Sequence, residues 1–314
     1  AMLWLQRVIM LGTMMLIMSL ASVEGGDRGR TAGGRGGRAL AWVPHPRIFS
    51  QGFTWRRRTP AQVCKPCKMN TDSSGELLSS SWSALNGNVQ VRQLVSSQDS
   101  DKEIVRALWF DSSPQVWQSA MKMKREKENG EFRPDWNVLP FHSSRALAFA
   151  SALIQRGGSP ASFAERMLVI GLGGGTIVGW SLANMPGLKE LQAVEADEVV
   201  VDMASKFFAL PVDDDRLTVT VANGCEYAHK LKDMGKSFDL IILDVGSTGD
   251  EGHCTAPPEE FLREENMKNF HAILEDGGVL AFTMIGHPAE VLLTLMKKVE
   301  SIFDGGLCFL ENRD

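Results

Sequence analysis

From Met167 onward the chain repeats one unit, a short apolar run followed by an amphipathic stretch, and this alternation constrains the fold more than any other feature. The runs Met167–Ile170, Leu191–Val194, Leu217–Val221, Phe238–Leu243 and Val279–Met284 read as strands, and Leu307–Leu310 begins a sixth. Between them, Ile177–Ala183, Val199–Phe208, Cys225–Leu231, Glu259–Leu274 and Ala289–Phe303 carry helical spacing, the first closed by Pro186 and Gly187. Strands that are apolar on both faces need cover on both, which a parallel sheet between two helix layers supplies. Right-handed crossovers then make that sheet doubly wound. An α/β domain is therefore expected over residues 161–314.

Upstream, the signals are of another kind. Val89–Val95 and Ile104–Phe110 are β-type runs separated by the polar Ser96–Lys102, which reads as a hairpin. Met121–Asn129 is a charged run, most simply a solvated helix or loop. In Ser143–Ile154, residues Ala146, Leu147, Phe149, Ala150 and Leu153 have helical spacing, and Gly157-Gly158 stops it. A small β-hairpin and helix region over residues 85–160 is expected to precede the sheet. Residues 25–84 read as a linker, because Gly25–Arg38 is rich in Gly and Arg and cannot build a core. Val8–Leu20 is an apolar run preceded by Arg7 and followed by Ala21 and Ser22. It falls short of the about 20 residues of a stable membrane span and suits the apolar centre of a signal peptide. Residues 1–24 are accordingly read as a leader, secretory or, with the Arg-rich segment behind it, organellar.

Several function classes find no support. A net charge of -5 gives no whole-chain case for a nucleic-acid partner. The 5 cysteines have no framework spacing, and Cys64 and Cys67 form a lone C-x-x-C without the second ligand pair of a zinc site. His142, His253 and His271 are too scattered to hold a metal, so none is expected. Trp109, Trp117 and Trp136 are expected to pack the N-terminal region rather than stack on a substrate.

Open parallel sheets bind ligands at the carboxyl ends of their strands, near the switch point. Here the first strand runs into Gly171-Leu172-Gly173-Gly174-Gly175-Thr176, where the backbone can approach a ligand and the next helix offers free N–H groups. Alone, such a loop fits dinucleotides and S-adenosylmethionine equally. The second strand ends at Glu195-Ala196, where a carboxylate can accept both ribose hydroxyls. The third ends at Asn223-Gly224, an amide suited to an adenine edge, and the fourth at Asp244, facing the reacting group. Four such ends in this order predict a nucleoside-binding site.

The runs Val169–Gly175, Ala193–Asp197 and Phe238–Val245 resemble the spermidine-synthase-like class I methyltransferases, which have a Rossmann-like sheet. The likeness covers residues 89–310 and includes Pro257-Pro258-Glu259-Glu260-Phe261. It implies S-adenosyl-L-methionine as cofactor, with Gly171, Leu172, Gly173 and Gly175 around the methionine part. Glu195 and Ala196 would then meet the ribose and Asn223 and Gly224 the adenine. Asp244 would face the methionine amino group or the acceptor, as the catalytic residue. Within the family the likeness is to the C-terminal halves of enzymes that methylate translation elongation factor 1-alpha. It therefore implies a protein amine as acceptor, a lysine or an N-terminus, a cytoplasmic setting, and, by analogy with the group's hairpins, a homodimer.

Departures from the family pattern separate two chemistries. Polyamine synthases of this fold carry an Asp where Gly174 stands and another where Ser247 stands. An amine nucleophile must be anchored and deprotonated, so without both acids aminopropyl transfer becomes the lesser alternative. A non-catalytic Rossmann module that stabilises a partner is the other. Asn223 and Gly246 also replace acids common in the family. Finally, the antiparallel strand that such methyltransferases place between strands five and six is not found, so the sheet is expected to lack its final strand.

Overall fold

The computed structural model describes residues 13–19, 75–95, 103–113, 116–126, 130–156, 159–160, 163–248, 254–285, 287, 289–303 and 307–311. Most of the expected leader and linker, with Cys64 and Cys67, and His253 lie outside the described residues. The first elements in chain order are β1 (Thr13–Ser19), β2 (Glu76–Ser83), β3 (Gly87–Val95), β4 (Ile104–Phe110), β5 (Ser119–Arg125), β6 (Phe132–Pro134) and α1 (His142–Phe149). Then come β7 (Arg166–Ile170), α2 (Thr176–Asn184), β8 (Glu190–Glu195), α3 (Glu198–Phe207), β9 (Leu217–Val221), α4 (Gly224–Asp233) and β10 (Phe238–Leu243). The last are α5 (Glu264–Ala272), β11 (Leu274–Ile285), α6 (Ala289–Ile302) and β12 (Leu307–Glu311).

The larger sheet has seven strands in the order β9-β8-β7-β10-β11-β1-β12. Its β7–β11 part is parallel, as the alternation requires, and the order reverses between β7 and β10. Within one strand, successive residues serve opposite faces. Leu168 and Ile170 of β7 join Ile241 and Leu243 of β10 in a core with Phe261, Phe270 and Phe303. Met167 and Val169 join Leu240 and Ile242 in a second core with Ile177, Leu182 and Leu147. This period of two, apolar on both sides, is why these strands read as continuous apolar runs. Asp239 interrupts the run of β10, and its buried carboxylate is matched by the backbone N–H groups of Glu165 and Arg166, at 2.8 and 2.7 Å, and by Arg156 at 3.2 Å.

Three expectations are corrected. First, the sheet has its antiparallel strand between β11 and β12: it is β1, from the apolar run read as a leader, pairing Met14 with Met284 on one side and with Glu311 on the other. No local signal marks a strand whose partners lie at the other end of the sequence. Second, the hairpin β3–β4 is present as expected but sits in a five-stranded antiparallel sheet, β2-β3-β4-β5-β6, whose β2 comes from the end of the segment read as linker. The charged run after Met121 supplies its fourth strand, in which Met121 and Met123 are buried while Lys122 and Lys124 point away. Third, the expected helix from Glu259 is a 3₁₀ turn, Glu259–Leu262, followed by α5, because Arg263 takes an extended conformation between them.

The two sheets are joined through α3. Val200 and Met203 of that helix, with Phe208 just past it, pack against Val89, Leu108 and Met121. Ser83 and Asn86 of the first hairpin donate to the carboxylate of Asp197, the N-cap of α3. No helix among the described residues is long and apolar enough to cross a membrane.

Candidate functional site

At the carboxyl edge of the parallel strands, backbone hydrogen bonds hold neighbouring strand ends in step. Gly171 N–H donates to Val194 (2.8 Å), Asp244 N–H to Ile170 (2.8 Å), and Ala222 N–H to Glu195 (2.9 Å). The glycine loop thus leaves β7 at the switch point, between β8 and β10. Gly171, at φ +92°, lies so close to the end of β10 that a Cβ would stand 2.2 Å from the Asp244 carbonyl oxygen. Gly175, at φ +72°, is the N-cap of α2 and has no side chain to cap with, so the first N–H groups of that helix stay open.

Glu195 ties this loop down. One carboxylate oxygen accepts from Leu172 N–H at 2.9 Å and Gly173 N–H at 3.4 Å, and the other from Asp197 N–H at 3.1 Å. Burial raises its pKa, and these backbone donors pull the other way. A carboxylate has about four lone-pair directions, so with three of them taken it retains room for about one more donor.

Several expected binding residues have structural work as well. The Asn223 side-chain oxygen accepts from Cys225 and Glu226 N–H, at 2.8 and 3.2 Å, as the N-cap of α4. Its NH₂ group is the part that can still face a base. Gly224 is buried against Ile170 and Phe261, where a Cβ would come within 2.3 Å of Ile170, so its smallness serves packing rather than a ligand. Leu172 turns its side chain into the core and offers only backbone to the site. Ala196 is exposed.

A cavity of about 420 Å³ opens between the sheets. Gly171, Leu172, Asp244 and Gly246 form one side, and Trp117, Ser119, Phe141 and His142 form the other. Glu195, Ala196 and Asn223 are not in its lining but at the neighbouring strand ends, beyond the glycine loop. Sequence reasoning missed the wall from Val116 to Ser119 and from Phe141 to Ser144, since only tertiary structure brings it to Asp244. Ser119 also reaches the loop: its hydroxyl lies 3.2 Å from that of Thr176, which donates to Ala120 O at 3.1 Å.

The Asp244 side chain is open to the cavity yet set deep enough that its surroundings raise its pKa to about 6. Such a carboxyl holds its proton more tightly in the folded protein, so its contribution to stability is full below about pH 4 and is lost as pH rises through about 6. Asp244→Asn is accordingly expected to raise the melting temperature at pH 7.5 and leave it unchanged near pH 4. Contact with solvent in the cavity should hold the gain to roughly 1–3 °C. Equal melting shifts at both pH values would count against this description of the site.

Other candidates fall elsewhere. His271 packs edge-on against Phe303, with ring centroids 5.1 Å apart. Trp109 is buried under Trp117, and Trp136 lies across Gly179 of α2, where a Cβ would stand 2.2 Å from its ring. Cys225 is a buried free thiol whose pKa is pushed up to about 12, chiefly by burial.

A doubly wound sheet with a glycine loop, an acid at the second strand end and a cavity at the fourth defines a class I, Rossmann-type nucleoside-binding domain. The chain matches the spermine/spermidine synthase domain family over residues 149–302. It is 28% identical over 172 residues to the eEF1A lysine and N-terminal methyltransferase of Xenopus laevis, covering 54% of this chain and 24% of that relative. It is 33% identical over 116 residues to a polyamine aminopropyltransferase of Streptococcus uberis, covering 36% of this chain and 38% of that one. The structure of human methyltransferase-like protein 13 in complex with SAH aligns with a TM-score of 0.39 and 21% identity, over 51% of this chain and 90% of that one. The chain spans about a quarter of the length of the Xenopus relative.

Proposed function

We propose that this chain is an S-adenosyl-L-methionine-dependent methyltransferase acting on a protein amine. The observation that carries the choice of chemistry is the surroundings of Gly174. A side chain there would start 2.9 Å from the Phe208 ring and 3.0 Å from the Ser119 hydroxyl, so the space for an amine-anchoring acid is filled. The name of the Xenopus relative points the same way, and that of the Streptococcus relative to the aminopropyl alternative.

The residues fit the cofactor. The backbone of the glycine loop, with the uncapped start of α2, suits its methionine part, Glu195 with Ala196 suits the ribose hydroxyls, and the Asn223 amide with Gly224 the adenine. When bound, S-adenosylmethionine supplies an electrophilic methyl group on a sulfonium. The protein's part is to hold the glycine loop still through Glu195, to bring the acceptor into the cavity beside Asp244, and to exclude water with the N-terminal sheet.

Elongation factor 1-alpha, at a lysine or its N-terminus, is the acceptor this reading names. Self-association is part of the same reading, by analogy with the group, and sedimentation of the full chain tests it. The main test is calorimetric titration of the full chain with S-adenosylmethionine, S-adenosylhomocysteine and decarboxylated S-adenosylmethionine, followed by incubation with elongation factor and methyl-labelled cofactor. Micromolar binding of the first two and label on the factor are expected. A folded sample that binds neither, or prefers the decarboxylated form, would overturn the reading.

Gly174→Asp provides a complementary check. It should destabilise the fold by about 1–3 kcal/mol through overpacking against Phe208, without conferring affinity for decarboxylated S-adenosylmethionine. Stable, tight binding of that ligand by the variant would show that the space is not closed.

A further inference from the structure

We infer that the aromatic wall opposite the glycine loop, Trp117 and Phe141, together with the Thr283 hydroxyl on the sheet beside Asp244, is the seat of the acceptor's cationic amine and selects for it. This rests on the methyltransferase reading, and adds to it which residues recognise the acceptor.

Three observations converge. Among the described residues the charge of the lining is of one sign: Asp244 is its single carboxylate, no lysine or arginine of theirs borders the cavity, and His142 is their one other titratable side chain. A site of that character favours an ammonium or amine over a phosphate or carboxylate ligand. Next, the aromatic wall is built rather than incidental. Trp117 is fixed edge-to-face on the buried Trp109, with centroids 5.2 Å apart and planes at 68°. It and Phe141 pack on the same small core as Val105, Ala107 and Ala120, so their remaining surface lines the cavity. Aromatic faces attract ammonium and methylammonium groups, and tryptophan does so best. Last, Thr283 of β11 is 5% exposed, lines the same cavity, and its hydroxyl has no hydrogen-bond partner. A buried hydroxyl left unmatched is costly, and an N–H donor entering the cavity would match it.

These parts divide the recognition of an amine. Asp244 supplies opposite charge, Thr283 an acceptor for N–H, and Trp117 and Phe141 a surface that still holds the group once methyls replace its hydrogens. Trp117 is a specificity-determining residue in this arrangement, and the cofactor does not depend on it.

The test uses the full chain saturated with S-adenosylhomocysteine, titrated with three probes: Nα-acetyl-lysine methylamide, its Nε-trimethyl form, and the uncharged norleucine analogue. Both cationic probes should bind at least about tenfold more tightly than norleucine, the size of a desolvated cation–π contact. Trp117→Ala should weaken both by about tenfold and leave the affinity for S-adenosylhomocysteine unchanged, while Trp117→Phe stays within about threefold of the parent. Thr283→Val should weaken the lysine probe but not the trimethyl form, whose ammonium group has no N–H to give. Melting curves identify any variant that has lost its fold, and Phe141→Leu then replaces Trp117→Ala as the wall variant. Equal binding of norleucine, or folded wall variants with unaltered probe affinity, overturns the inference. If S-adenosylhomocysteine binds and no probe does, the inference alone falls; if the folded chain binds no cofactor, the methyltransferase reading falls with it.

Discussion

Glu195→Ala is expected to lose about 100-fold in affinity for S-adenosylmethionine, the largest effect of any side-chain removal in the site. The carboxylate would give up a charge-assisted hydrogen bond to a ribose hydroxyl, worth about 1.5–3 kcal/mol, and about 2.7 kcal/mol already makes 100-fold. Part of the loss would come from the protein itself. Leu172, Gly173 and Asp197 donate their N–H groups to this carboxylate, so its removal frees the glycine loop before any ligand arrives. Glu195→Gln separates the two contributions. It keeps the shape but must turn an NH₂ group toward one set of N–H donors, and should fall between the parent and the alanine variant. Calorimetry on the three proteins measures this directly. A loss below about fivefold for the alanine variant would remove Glu195 from the ribose role.

Gly171→Ala should cost roughly 2–5 kcal/mol of stability, because two penalties add there. A non-glycine residue at φ +92° is strained by about 1–2 kcal/mol, and a Cβ 2.2 Å from the Asp244 carbonyl forces β10 and the loop apart at a further 1–3 kcal/mol. The loop cannot relax outward, since Gly171 N–H is fixed to Val194 and Asp244 N–H to Ile170. For a domain of this size each kcal/mol moves the melting temperature by about 2–4 °C, so a drop of at least about 4 °C is expected. Gly187, where a Cβ would meet nothing, is the control and should tolerate alanine. Equal melting of the two variants would mean that the close approach at Gly171 is not a constraint.

The parallel core was legible because its information is local. The inner strands β7, β10 and β11 are apolar on both faces, and most helices between the strands show their own spacing, so the doubly wound sheet follows from a window of a few residues at a time. The strand-end residues were legible for a related reason: topology dictates where Gly171, Glu195, Asn223 and Asp244 must stand once the strands are placed. What the sequence hid is what depends on distant neighbours. Lys122, Lys124 and Arg125 masked the alternation of Met121 and Met123, so a strand read as a solvated run. Nothing near Gly174 announces that Phe208 and Ser119 fill the space beside it, and nothing near Trp117 announces Asp244. Asn223 looked like a ligand amide, whereas its oxygen is committed to capping α4.

The strand β1 has a consequence for how the molecule comes to be. Met14 pairs with Met284 and with Glu311, partners about 270 and 300 residues away, contacts of very high sequence separation that form slowly. On the ribosome, at about 5–20 residues per second, this segment is made tens of seconds before β12 exists. Through that interval it is an extended apolar stretch without its native neighbours, open to any receptor that reads such stretches. Once seated between β11 and β12 its backbone is engaged on both sides, and that opportunity closes. Whichever event comes first, capture or seating, decides between a finished sheet and one that stops at β11.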